Sequence, residues 1–295
     1  MAVLIARPTI AVKNILVATD FSPASELAID YAGAIARRYG SRLHLVHALP
    51  PPSHGQSPAN DIAKVKQAEA DAVERLRVEA KTCVDIECSR WVLKGTPLEV
   101  VDRLLSFHHI DLVVVGSHGA KGLRRLSVGS AAEHFFRHVH CPVLAIGPSM
   151  SGRRPVWEPK RVLLTTDLQS DESAAAKCAV LIASEHDARL TLLHVAPPAP
   201  APFPDEQGTI ARSYFELRLR ELLSYKPELE YPAEFLVEFG EDAVSEIVRV
   251  ARVQAMDLIV LSVHREEPWG FHFVHEAYRI VAEAPCPVLI TQRRF

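Results

Sequence analysis

The chain says the same thing twice, and that repeat constrains its fold more than any single motif. Lys13-Asn14-Ile15-Leu16-Val17-Ala18-Thr19-Asp20 returns as Lys160-Arg161-Val162-Leu163-Leu164-Thr165-Thr166-Asp167, displaced by 147 positions. Leu43-His44-Leu45-Val46-His47-Ala48 returns as Leu190-Thr191-Leu192-Leu193-His194-Val195 at the same displacement. Cys141-Pro142-Val143-Leu144 and Cys286-Pro287-Val288-Leu289 close the two copies. A chain of 295 residues built this way holds two homologous domains, each of about 150 residues and able to bury its own core. The expected domains are residues 1–150 and 156–295, joined by a Gly-, Pro- and Arg-rich connector at 149–159.

Within the first copy, apolar runs at 15–19, 43–48, 86–93, 112–115 and 143–146 read as strands. Helical patterns lie between them. Ser22 is placed to cap the first, which Gly40 should stop. Residues 61–81 read as a long charged amphipathic helix, Thr96-Pro97 opens the next with proline in the first turn, and 131–138 reads as the last. Strands that alternate with helices and are nearly all apolar form parallel sheets covered on both faces. The fold class is therefore α/β, with two tandem doubly wound, five-stranded parallel sheets. In such sheets ligands sit at the carboxyl ends of the strands, where strand order reverses.

One stretch there has the chemistry to hold an anion. The run Leu112-Val113-Val114-Val115 breaks into a loop with Gly116, Gly119, Gly122 and Gly129, three basic residues (Lys121, Arg124, Arg125) and then Ser130. Ser130 stands at a helix N-cap position with Glu133 three residues on, the capping-box spacing. Strand, glycine loop and helix N-terminus together let backbone N–H groups approach a phosphate.

Composition excludes several classes. The chain is 48% hydrophobic and 23% charged, which argues against long disorder. A net charge of −3 gives the chain no overall basic character to hold nucleic acid. No run approaches the roughly 20 apolar residues of a membrane span, and residues 1–14 lack a signal-peptide pattern, so the expected location is the cytoplasm. Five scattered cysteines are not a disulfide framework, and Cys141 and Cys286 read as buried apolar residues. His134 and His138, with His140 nearby, have metal-ligand spacing, but nothing clearly completes a site and no metal ligand is assigned. No phosphate-binding G-x-x-x-x-G-K-[ST] loop, nucleophile elbow or paired acid and base is present, so no catalytic residue is assigned.

Gly116-x2-Gly119-x9-Gly129-Ser130 resembles the nucleotide-binding signature G-x2-G-x9-G-(S/T) of the universal stress protein family, with nothing inserted or missing. The resemblance implies an adenine nucleotide alpha hydrolase-like fold with strand order 3-2-1-4-5. Strands one and four would then meet at the reversal, bringing Asp20 and Gly116 to one crevice. It also implies an adenine nucleotide as ligand, ATP with Mg2+, and a regulatory stress-response module with slow or no turnover. Its binding residues would be Asp20, Val46 through its backbone to adenine, Gly116, Gly119, Gly129 and Ser130. Each has a plainer reading: Asp20 as a helix-capping residue, Val46 as core, the glycines as turns, the basic residues as a solvated loop.

The second copy departs from the signature. Ser262 and Arg265 stand where Gly116 and Gly119 would fall, and the Gly-Ser position falls on Val274-His275-Glu276. That half is expected to be degenerate and mainly structural. Two further readings stay open: an interaction scaffold that binds no nucleotide, and a slow Mg-dependent ATP hydrolase. The expected partners are an adenine nucleotide, the other half of the chain through the apolar runs 143–146 and 288–291, a second copy as homodimer, and an unidentified protein. Neither nucleic acid nor membrane is expected.

Overall fold

A computed structural model of the chain describes residues 10–49, 58–117, 135–136, 139–152, 155–168, 173–198, 204–223, 229–263 and 270–292. The chain divides into two compact units, one of residues Ala11–Trp157 and one containing Glu158–Phe295. Ile10 sides with the second, its N–H donating to the Glu185 carboxylate at 3.0 Å.

The first unit runs β1 (Asn14–Ala18), α1 (Pro23–Tyr39), β2 (Arg42–Leu49), α2 (Pro58–Glu79), β3 (Cys88–Lys94), α3 (Pro97–His108), β4 (Leu112–Gly116) and β5 (Val143–Ile146). Its strands are hydrogen-bonded in the order β3-β2-β1-β4-β5, every pair parallel. The second runs β6 (Arg161–Thr165), α4 (Ser173–Glu185), β7 (Arg189–Ala196), α5 (Pro204–Leu222), β8 (Glu234–Phe239), α6 (Ala243–Val253), β9 (Leu258–Val263), α7 (Gly270–Glu283) and β10 (Val288–Gln292). Its order, β8-β7-β6-β9-β10, is again parallel throughout. Both units thus have the expected 3-2-1-4-5 order.

The central strands are apolar on both faces because helices cover both. Ile15, Leu16 and Val17 in β1 and Val162, Leu163 and Leu164 in β6 are fully buried. Their N-terminal ends are tied down alike. The Asp111 carboxylate accepts the N–H groups of Lys13 and Asn14 at 2.8 and 2.9 Å, and Asp257 accepts those of Lys160 and Arg161 at 3.0 and 2.9 Å.

Helix limits follow the local signals. Ser22 caps α1, its hydroxyl accepting from the Ser25 N–H, and Gly40 stops the helix in the left-handed region at φ 66°. Thr96 and Glu99 form a reciprocal capping box at the start of α3. Several boundaries differ from the sequence reading by one to three residues, and α2 starts at Pro58 rather than at residue 61. α2 ends at Glu79, after which a short 3-10 turn covers Ala80–Cys83, and β3 starts at Cys88 rather than at residue 86. No disulfide joins the cysteines. Cys286 is buried as expected, whereas Cys141 is only partly so because it sits on the turn before β5. Of the expected helix at 131–138, Phe135 and Phe136 are helical and buried, and the rest lies outside the described residues.

Candidate functional site

The register places the carboxyl ends of β1 and β4 side by side. Val17 pairs with Val114, and β2 lies on the other side of β1, so strand order reverses there. Asp20 follows β1 and Gly116 ends β4, so both candidates reach this crevice.

Gly116 has a clear local reason. A Cβ built on it would lie 2.4 Å from the Ala24 carbonyl oxygen and 2.9 Å from the Ser25 nitrogen. Only glycine lets the first turn of α1 close onto the end of β4. Asp20 is exposed, and its Oδ1 accepts the Ser22 N–H at 3.0 Å, an Asx turn into the helix. Val46 is buried in β2, and its carbonyl accepts the Thr19 N–H at 2.9 Å. A carbonyl has a second lone pair, so that bond does not close it to a ligand. Gly119, Gly129 and Ser130 lie outside the described residues, as do Lys121, Arg124, Arg125, His134 and His138.

Around Asp20 the structure assembles a network that pattern reading missed. Phe21 is held at φ 61°, a region that ordinary side chains avoid. Its N–H donates to Thr19 Oγ1 at 2.9 Å, and its carbonyl accepts from the Arg75 guanidinium at 3.2 Å. Arg75 also lies over the Phe21 ring at 4.1 Å, and the His47 ring packs on that ring at 4.3 Å. His47 Nδ1 bonds to the Thr19 carbonyl at 2.8 Å, and burial lowers its pKa despite that bond. A neutral imidazole donating from Nδ1 satisfies this geometry.

The second unit repeats the device. Leu168 has φ 57°, its N–H donates to Thr166 Oγ1 at 3.0 Å, and Arg218 donates to its carbonyl at 3.3 Å. His194 Nδ1 meets the Thr166 carbonyl at 3.0 Å, with the Phe215 ring 4.5 Å away. The signal was present in the repeat: Thr19, Asp20 and His47 recur as Thr166, Asp167 and His194. Both halves thus keep a strained Thr-Asp turn held by a histidine from the next strand and an arginine from the next helix.

Beneath the first turn lies Glu79, also missed. Its Oε1 is 3.5 Å from Thr19 Oγ1, and its Oε2 is buried with no hydrogen-bond partner among the described residues. Burial raises its pKa to about 7; Glu26 and Asp20 add to the rise, and the Thr19 hydrogen bond and Arg75 oppose it. Among the described residues no group of three or more His, Cys, Asp or Glu side chains is placed to hold a metal ion. Nor is any described helix long and apolar enough to cross a membrane.

The second unit differs at the register mate of Gly116. Val162 pairs with Leu258 as Ile15 pairs with Leu112, which sets Ser262 opposite the place of Gly116. That register position carries a side chain in the second unit and none in the first.

Comparison with known proteins matches this architecture. A universal stress protein from Archaeoglobus fulgidus superposes with a TM-score of 0.67 at 14% identity, covering 95% of this chain and 98% of that one. A functionally unknown protein from Pseudomonas aeruginosa gives 0.63 at 19% identity, covering 96% and 93%. Both likenesses concern the fold. In sequence, a universal stress protein of Methanocaldococcus jannaschii is 25% identical over 139 residues, 45% of this chain and 81% of the relative. The profile of the universal stress protein family matches twice, over residues 11–147 and 158–292. With both halves matched, the chain belongs to the universal stress protein family, as a tandem of two such domains.

Proposed function

We propose that the first domain binds ATP with Mg2+ at its switch point and acts as a regulatory stress-response module, while the second does not bind ATP in that manner. The observation that carries the reading is the glycine signature that begins at Gly116, at the end of the strand that register sets beside β1 and Asp20. Gly116 brings the first turn of α1 to that same edge, and free amides at helix N-termini favour anions. The Gly119 and Gly129 amides and the Ser130 hydroxyl would take the phosphates, and the Val46 backbone the adenine. The donor set also suits the ion. Mg2+ keeps several waters and is usually held by one or two carboxylates plus phosphate oxygens, and Asp20 supplies one exposed carboxylate. Bound there, the ion would neutralise triphosphate charge. With no assigned catalytic group, the output is a change of conformation or partner, with hydrolysis slow at most.

A nucleotide-free scaffold is the second reading, and one observation favours it. The described contacts of Asp20, Val46 and Gly116 each serve the fold, and the Thr-Asp turn recurs in the half without the signature. Gly119→Val separates the two. A β-branched side chain blocks backbone approach to phosphate, so the ATP Kd should rise at least about tenfold with the melting temperature of the unliganded protein nearly unchanged. An unchanged Kd in a folded variant would give the scaffold reading the lead.

A further inference from the structure

α5 carries two apolar faces where a helix lying on a sheet needs one. On the inner face the Phe215 ring lies 4.5 Å from the His194 ring of β7, and Leu219 is fully buried. About half a turn round the helix, Ile210, Tyr214 and Leu217 are 71%, 52% and 56% exposed. At 3.6 residues per turn these three fall on one narrow stripe two turns long.

The fold does not require that stripe to be apolar. Arg75 of α2 and Arg218 of α5 make the same contact, donating to the Phe21 and Leu168 carbonyls, and so align the two helices. Counted back from these arginines, the first domain has Gln67, Asp71 and Glu74 at the three places, all exposed. There Gln67 donates to Asp71 at 2.7 Å and Arg77 to Glu74 at 2.9 Å. One helix of the pair thus covers its sheet with a polar outer face. Single exposed apolar residues are ordinary, but three in step on one helix face mark a surface for a partner.

The form of the stripe names its occupant. Spacings of four and then three are the narrow seam of paired helices, not the wider stripe of a core-facing one. The seam is centred on Tyr214, so it matches itself under a twofold axis there. Ile210 then meets Leu217 of the partner subunit, with the two helix dipoles opposed. Ala211 and Ser213 beside Tyr214 are small and let two helices approach. We propose that this stripe is a self-association surface, on which α5 of a second copy packs antiparallel to give a homodimer through the second domain. The three side chains expose on the order of 100 Å2 each. Two seams together then bury roughly 600 Å2 of apolar surface, short of the roughly 1,200 Å2 of a stable interface. The dimer is therefore transient, with a Kd on the order of 100 µM. This surface is independent of nucleotide binding in the first domain.

The test is sedimentation velocity of the full chain from about 10 µM to about 1 mM, beside methyl NMR of a mixed-label sample. The chain should pass reversibly from monomer to dimer, and an intermolecular contact should join Ile210 to Leu217. Ile210→Gln with Leu217→Glu installs the residues that α2 tolerates, so the melting temperature of the dilute protein should hardly move. Its dimer Kd should rise at least about tenfold. Phe107→Gln, at a 74% exposed position on α3 of the first domain, is the control and should leave the Kd unchanged. A dimer that survives the double variant, or an intermolecular Ile210 to Ile210 contact from parallel pairing, would overturn the proposal. So would a chain still monomeric at about 1 mM, which would leave the stripe to a helix of a different protein.

Discussion

Gly116 shows how much one absent methyl group decides. The Ala24 carbonyl carbon and oxygen stand 2.5 and 2.4 Å from where its Cβ would be, and the obstacle is backbone, which cannot rotate away. Gly116→Ala must therefore push the first turn of α1 off β4, an overpacking cost of roughly 1–3 kcal/mol, measurable by urea denaturation. Ser262→Ala at the matching register position should cost less than about 1 kcal/mol, since it removes a hydroxyl that has no partner among the described residues. Equal effects at both positions would contradict the difference drawn between the two switch points. The sequence made Gly116 visible as a glycine after a strand. It did not show what presses on it, because Ala24 lies 92 positions away along the chain. The same distance problem hid the Arg75 and Phe21 contact, which forms only once α2 lies across the end of β1.

Elements were legible where a signal is local. Uninterrupted apolar runs located the buried strands, Ser22 and Gly40 bounded α1, and Thr96-Pro97 opened α3. Where α2 meets β1, local pattern says nothing, and the chemistry is correspondingly unexpected. Glu79, the last residue of α2, sits against Thr19 with a pKa raised to about 7 by burial. Its folded value lies above the unfolded one, so the neutral form favours the fold. The native state is then at full strength below about pH 4.5, weakens as pH rises toward 7 and levels off above it. Glu79→Gln mimics the neutral form. Its stability relative to wild type should grow by about 1–2 kcal/mol between pH 5 and pH 8, less than the full shift because the side chain retains some solvent contact. Chemical denaturation of both proteins at the two pH values checks this, and a difference that stays flat would mean Glu79 is already ionised in the folded protein.

At the scale of the whole molecule, the two domains share one frame. Both domains keep strand order, the aspartate ties at the start of β4 and β9, and the strained Thr-Asp turn. The repeat in the sequence foretold this frame because strand register follows from apolar runs that recur in step. The proposed function rests on the Gly116-x2-Gly119-x9-Gly129-Ser130 spacing, most of which lies outside the described residues. The central claim is that one domain of the two holds ATP. Isothermal titration calorimetry of the full chain with ATP and Mg2+ tests it most directly. The account predicts a stoichiometry of one ATP per chain, and either two equivalent sites or no binding heat and no competition by unlabelled ATP against a fluorescent analogue would contradict it.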